Sequence, residues 1–470
     1  MVEVLRMGPA VWGTCAFVVL FFVSGMQVLQ SQSKPTSAAM EQTFQAAMEA
    51  EDRGDLGKAE SLLRSLHSQH PGMFAVDESL GLLYVKQERF EEAIPLLKAA
   101  AGEQPDSDAA HANLGAACFQ LKRNREALAE FRIAAGLNPK NASTQESLGR
   151  LLMEEHRPAQ AADAFAAALA LDRENYDLVL DRAQALEDAG RPADAVAALN
   201  AMPGAGQSAP AQSLLGDAEE KLGAYQKAAE YYARAADLDP SEANVWAVGV
   251  EFLRHWTFEA AITEFEAGTQ KFPSSTRMKL GLGAAYFGGA RYAPAIPVFT
   301  ELLKSDPDNA LYAEMLGMAC GAVTESTKDG CNALLAYAEA HPRDARASTL
   351  AASMLLTETQ TGDREEMARK LLDHAVAAAP KFAEAHYQLG VLKQNQGDWA
   401  GSVSDLETAI ALKPDFSQAH YRLALAYWRV GRKPQGQAEM ELQKKYSQQE
   451  KEDLNQRLRQ ITTFIVDVKK

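Results

Sequence analysis

Cysteine and histidine are the residues of this 470-residue chain with the most chemistry to offer, and they are few: four and nine. Cys320 and Cys331 bracket Gly321 to Gly330, a loop short enough for its ends to meet. A disulfide needs Cα atoms within about 4.4 to 6.8 Å, and closing a loop of this size would stabilise by about 2.7 kcal/mol in the chain-entropy model. Two separate buried thiols are the other reading. Cys118 lies in an apolar run and reads as a small packing residue. Four scattered cysteines are too few for a disulfide-built scaffold or a four-thiolate zinc site. His111, His386 and His420 share one position of a recurring pattern. A metal needs nitrogens about 2 Å away together with further donors, so packing or hydrogen bonding is expected of all three. Asp306-Pro307-Asp308-Asn309 lacks the glycine and distal glutamate of a calcium loop. No phosphate-cradling loop, HExxH zinc helix or GxSxG elbow occurs. The expectation is no enzyme: no catalytic residue, no cofactor and no metal ligand.

The 63 acidic and 47 basic residues give a formal charge of -16 at pH 7. That field repels phosphate backbones and anionic headgroups, so nucleic acid is not an expected partner. With 47% hydrophobic residues the chain is expected to fold on apolar packing.

The N-terminus reads as an address. No charged side chain occurs from Met7 to Ser33, and Val11 to Val23 is nearly all apolar behind Arg6. An apolar core of this length falls within the range of roughly 7 to 15 residues typical of a signal peptide. Ser24-Gly25 and Ser31-Gln32-Ser33 offer cleavage sites, whereas Met26, Val28 and Leu29 could extend the run towards a span. Residues 1–33 are therefore a signal peptide or an N-terminal membrane anchor, and 34–39, with Pro35, a linker. The body is expected in the cell envelope on the periplasmic side, touching membrane only through that segment if it is uncleaved.

The remainder repeats. Gly81, Gly115 and Gly149, then Gly249, Gly283 and Gly317, recur at one constant interval, and Ala59, Ala93, Ala127, Ala161 and Ala195 keep the same step. Pro71, Pro105 and Pro139, then Pro273 and Pro307, then Pro380 and Pro414, close the periods. Apolar residues between these markers fall at helical spacing, so each period is expected to be a pair of amphipathic helices separated by a break such as Gly54-Asp55 or Gly190-Arg191. A glycine that returns at one phase of a helix implies a close approach that offsets its cost in propensity, about 1 kcal/mol.

These residues resemble the tetratricopeptide repeat family. In Asp108 to Asn141, Leu114-Gly115 match the family's Leu-Gly pair, Ala127 and Ala134 its small residues, Phe131 its aromatic and Pro139 its closing proline, while Cys118 stands where tyrosine is common. Phe74 to Ser107 and Thr276 to Asn309 match as well, and Tyr176 to Ser208 departs at Met202-Pro203-Gly204. The resemblance implies an all-α, right-handed α-solenoid of stacked helical hairpins over 40–450, roughly twelve units. Leu454, Leu458, Ile461 and Ile465 form one apolar stripe, read as a C-terminal capping helix over 451–470.

In this family the first helix of each unit lines a concave face, which allows a groove to be written down. Early and middle units place Glu51, Asp52, Glu146, Glu154, Asp181, Glu187, Asp188, Asp217 and Glu220 there, opposed mainly by Arg150 and Lys221. Later units place Trp246, Leu280, Phe287, Met315, Met318, Tyr387, Tyr421 and Trp428, with Arg422 and Arg429. Exposed aromatics and arginines are what binding hot spots use, although inter-repeat core is the alternative for several of these rings. The Lys and Asn pair with which relatives clamp chaperone tails is absent; Glu78 and Leu82, or Ala112 and Ala116, occupy those positions. The expected function is a non-catalytic scaffold or adaptor holding a protein or peptide client in protein assembly or secretion. The alternative is an accessory factor for glycan synthesis or export.

Overall fold

The computed structural model describes residues 38–323, 328–357 and 362–468. The expected export segment 1–33, linker residues 34–37 and part of the Cys320 to Cys331 loop lie outside them. The described residues form 24 α-helices and one 3-10 turn, with no strand.

Among the described residues, those up to Ala224 form one compact unit and those from Tyr225 another. The N-terminal unit runs α1 (Ala38–Asp52), α2 (Leu56–Gln69), α3 (Phe74–Lys86), α4 (Phe90–Glu103), α5 (Asp108–Gln120) and α6 (Asn124–Leu137). It continues with α7 (Ala142–Glu154), α8 (Pro158–Leu171), α9 (Tyr176–Asp188), α10 (Pro192–Asn200) and α11 (Ala209–Lys221). The C-terminal unit opens with α12 (Tyr225–Leu238), α13 (Glu242–Arg254), α14 (Phe258–Lys271), α15 (Thr276–Gly288), α16 (Tyr292–Ser305) and α17 (Ala310–Gly321). Its last helices are α18 (Lys328–Ala340), α19 (Ala345–Thr357), α20 (Gly362–Ala378), α21 (Ala383–Asn395), α22 (Trp399–Leu412), α23 (Ser417–Arg429) and α24 (Lys433–Val468). Within each unit consecutive helices pack as hairpins that stack on their neighbours.

Local sequence sets these boundaries. The hydroxyl of Ser107 and the amide oxygens of Asn141, Asn175 and Asn309 accept hydrogen bonds from free N–H groups at the starts of α5, α7, α9 and α17. Asn309 is the last residue of the stretch resembling a calcium loop, and its Nδ2 donates to Asp306 Oδ2 at 2.9 Å, so this stretch is the turn between repeats. Proline follows one residue after the C-cap of α4, α6, α14, α16 and α22, where no helical amide is required.

The periodic glycines are packing devices. A Cβ on Gly149 would lie 2.6 Å from the Phe165 ring, one on Gly249 2.5 Å from Phe265, and one on Gly283 2.7 Å from Phe299. In each case a ring from the second helix of the same hairpin occupies the space a side chain would need, and the phenyl groups are fully buried. Gly81 and Gly390 serve Leu97 and Leu406 in the same way.

Two boundaries differ from those read in sequence. Ala38 and Ala39 already belong to α1. The C-terminal stripe is no separate cap: α24 is one helix of 36 residues, because past Gly436 no glycine or proline interrupts it. The irregular unit near Met202 shows its cause in α10, which has 9 residues instead of the 14 of α8, the missing turn being replaced by Ala205–Gln207.

Candidate functional site

The first helices of the C-terminal unit carry the apolar and aromatic groove residues read from the sequence, and burial sorts them. Met315 is 3% exposed inside the core, so it is withdrawn from the groove; the turn of α17 on which it lies faces its neighbours. Trp246, Leu280, Phe287, Met318 and Tyr387 are partly buried against that same core. Trp246 packs on Phe265 with ring centroids 5.4 Å apart, Phe287 meets Tyr292 edge-on at 5.2 Å, and Tyr387 lies 4.9 Å from Phe416. These side chains hold repeats together and leave one flank to solvent.

Tyr421 and Trp428 on α23 are different, being 45% and 37% exposed. Helical spacing puts both on the side of α23 that includes Leu425. Trp428 lies against the backbone of α24, where a Cβ at Gly436 would come within 2.5 Å of its Cδ1 and Nε1. The ring therefore has a fixed back and an open front, which lowers the entropy lost when something stacks on it. Arg429 lies over the Trp399 ring at 5.2 Å, and half-buried Arg422 donates from Nη1 to Gln394 Oε1 at 3.4 Å. Trp399 and Gly436 were not named from sequence. The only sequence signal for Gly436 was a glycine one turn into a helix that otherwise avoids it.

The acidic face of the N-terminal unit is largely occupied by its own cations. Glu51 pairs with Lys86, Glu154 with Lys122, and Glu187 Oε2 with Lys221 at 3.0 Å, each joining one repeat to the next. Arg150 bridges Glu146 at 2.8 Å and Asp181 at 3.6 Å. Burial holds the Glu78, Glu146 and Asp181 carboxyls above their ordinary range. It pushes Glu187, 3% exposed, up to about 7, with the Asp217 charge adding to the effect.

The three histidines that share one repeat position all make the same hydrogen bond. Nε2–H of His111, His386 and His420 donates to the carbonyl of Pro105, Pro380 and Pro414, at 2.9 to 3.1 Å. His111 Nδ1 also meets Glu130, and His420 Nδ1 meets Glu439, at 2.6 Å. Cys320 and Cys331 are joined as a disulfide with Cα atoms 6.0 Å apart, tying the end of α17 to α18. Cys118 is free and buried, and burial raises its thiol to about 11, which suppresses thiolate reactivity.

Models of the tetratricopeptide repeat match residues 78–142, 152–218, 207–243, 249–320 and 395–431, together more than half of the chain. The chain belongs to the tetratricopeptide repeat family. Proteins of this family are generally non-catalytic scaffolds for protein-protein interaction, and nothing among the described residues shows catalytic activity. No curated protein sequence matches the chain. Among solved structures, Naa15/Naa10 bound to HypK-THB is similar at a TM-score of 0.41 and 15% identity, over 86% of this chain and 68% of that one. YrrB, described as a TPR protein with an unusual peptide-binding site, gives 0.36 and 17% over 38% of this chain and 93% of its own. Pseudomonas aeruginosa pilF gives 0.34 and 21% over 43% and 93%. No described helix of this tetratricopeptide repeat chain is long and apolar enough to cross a membrane.

Proposed function

We propose that this protein is an exported adaptor that holds an extended or helical polypeptide client along the first helices of its C-terminal unit, anchored at Tyr421 and Trp428. The observation that carries this reading is the pair of exposed rings on α23, one of them seated on Gly436. A large ring held in place with its face open gains contact area without first having to be ordered. The envelope setting rests on the charge-free apolar run behind Arg6.

The test is crosslinking and affinity capture of the full-length protein from its own cell envelope, beside the Tyr421→Ala/Trp428→Ala variant. A recurrent partner held about 100-fold more weakly by the variant, at unchanged circular dichroism, is the expected result. A folded double variant that keeps its partner would remove the site from α23. Competition by soluble oligosaccharide would instead favour the glycan-associated alternative. Recovery of the native protein only from the cytoplasmic fraction would overturn the envelope assignment.

A further inference from the structure

Two acid-free stretches of the C-terminal unit each carry four cations, and the structure treats them differently. Between Glu266 and Glu301 lie Lys271, Arg277, Lys279 and Arg291. Arg277 pairs with Glu242 at 2.7 Å, Lys279 with Glu301 at 2.6 Å and Arg291 with Glu259 at 3.3 Å, while Lys271 donates to the Pro240 carbonyl. All four are used by the fold.

Between Asp415 and Glu439 lie Arg422, Arg429, Arg432 and Lys433. None of these pairs with a carboxylate among the described residues. Arg422 meets the neutral Gln394, Arg429 lies over Trp399, and Arg432 lies over Tyr427 at 5.9 Å. Acids on the helices packed against α23 are already held: Glu384 of α21 by Lys413, Glu407 of α22 by the Tyr427 hydroxyl and Glu439 of α24 by His420. In a chain of net charge -16 this is a local excess of positive charge that the fold does not consume. Arg422 and Arg429 share the side of α23 that carries Tyr421, Leu425 and Trp428, by three- and four-residue spacing, and Arg432 and Lys433 follow at the turn into α24.

We infer that this end of the C-terminal unit docks an acidic polypeptide segment, laying an apolar side chain on Tyr421 and Trp428 and its carboxylates on Arg422, Arg429, Arg432 and Lys433. A guanidinium resting on an aromatic face is already oriented, and its planar fork meets a carboxylate through paired hydrogen bonds. A basic segment would meet four like charges. The inference rests on the reading that the late repeats hold a polypeptide and adds the chemistry of that polypeptide.

The experiment is fluorescence anisotropy on the full-length protein with two labelled peptides. One alternates Glu and Asp around a central Phe-Leu, and the other is its Gln and Asn isostere. We expect the acidic peptide to bind at least about tenfold more tightly, with the advantage fading as salt rises. Arg422→Gln/Arg429→Gln should erase that advantage, Arg422→Lys/Arg429→Lys should restore part of it, and Tyr421→Ala/Trp428→Ala should weaken both peptides. Circular dichroism of each variant separates these effects from unfolding. Equal affinity of the wild type for both peptides would overturn the inference and leave the groove standing. Binding of neither peptide would also overturn it, and the envelope capture then decides the groove separately. Binding of anionic phosphatidylglycerol vesicles without peptide binding would reassign the cations to a lipid surface.

Discussion

First helices of the N-terminal unit present carboxylates where those of the C-terminal unit present rings. Side-chain partners set the two faces apart. Glu51, Glu154 and Glu187 are engaged by lysines of adjacent repeats and Arg150 is shared by Glu146 and Asp181, so these carboxyls already have partners within the unit. On α23 the rings are open and their arginines have no carboxylate partner among the described residues. Identical backbone architecture thus supports a face directed inward and a face directed outward, and what separates them is whether neighbouring repeats carry the complementary charge.

The largest expected effect tests whether the two units share one packing rule. Gly149→Val and Gly249→Val each drive a branched side chain into a buried phenyl ring and should each cost their own hairpin about 3 kcal/mol, the upper end of overpacking. Local opening measured by hydrogen exchange checks this, and a large disparity between the two would break the common scaffold. Next comes a difference between the units. Reducing the Cys320–Cys331 bridge should cost about 2.7 kcal/mol and raise exchange in α17 and α18, leaving the unbridged hairpin of α5 and α6 untouched.

A smaller effect isolates the buried acid. The Glu187 carboxyl titrates near 7 in the folded chain against an ordinary 4.5, so folding favours its protonated form. Its contribution is complete below pH 4.5 and is lost as pH rises through about 7. Protection of α9 and α11 should therefore fall over that range in the wild type and stay flat in Glu187→Gln; a slope unchanged by the substitution would place the titrating group elsewhere. Smallest is a backbone effect common to both units. His156 and Ala290 hold φ of 54° and 57° at the turn where Gly54 and Gly190 stand in other repeats. Replacing either by glycine relieves left-handed strain and should gain between nothing and about 1 kcal/mol in thermal stability.

Legibility followed the same division. Hairpins, closing prolines and the glycine phase were readable because packing requires them again in each successive period, and a repeated cause leaves a repeated trace. Single-copy relations left none. Position in the repeat assigns Met315 to the groove, yet α17 packs so closely among its neighbours that the side chain is engulfed. Trp399 and Gly436 support Arg429 and Trp428 from other helices, a relation that requires three dimensions. Continuity of α24 past residue 450 was readable in principle from the absence of breakers, but an apolar stripe suggests where a helix begins and is silent on whether the previous one has ended.

The glycine-on-ring contact also bears on ancestry. Where Gly149 meets Phe165 or Gly283 meets Phe299 the lock closes within a single hairpin, so duplication or deletion of one full period carries both halves together. Copy number can then drift by unequal crossing-over without a compensating change elsewhere, while the outward positions of each copy remain free to diverge into a new recognition surface.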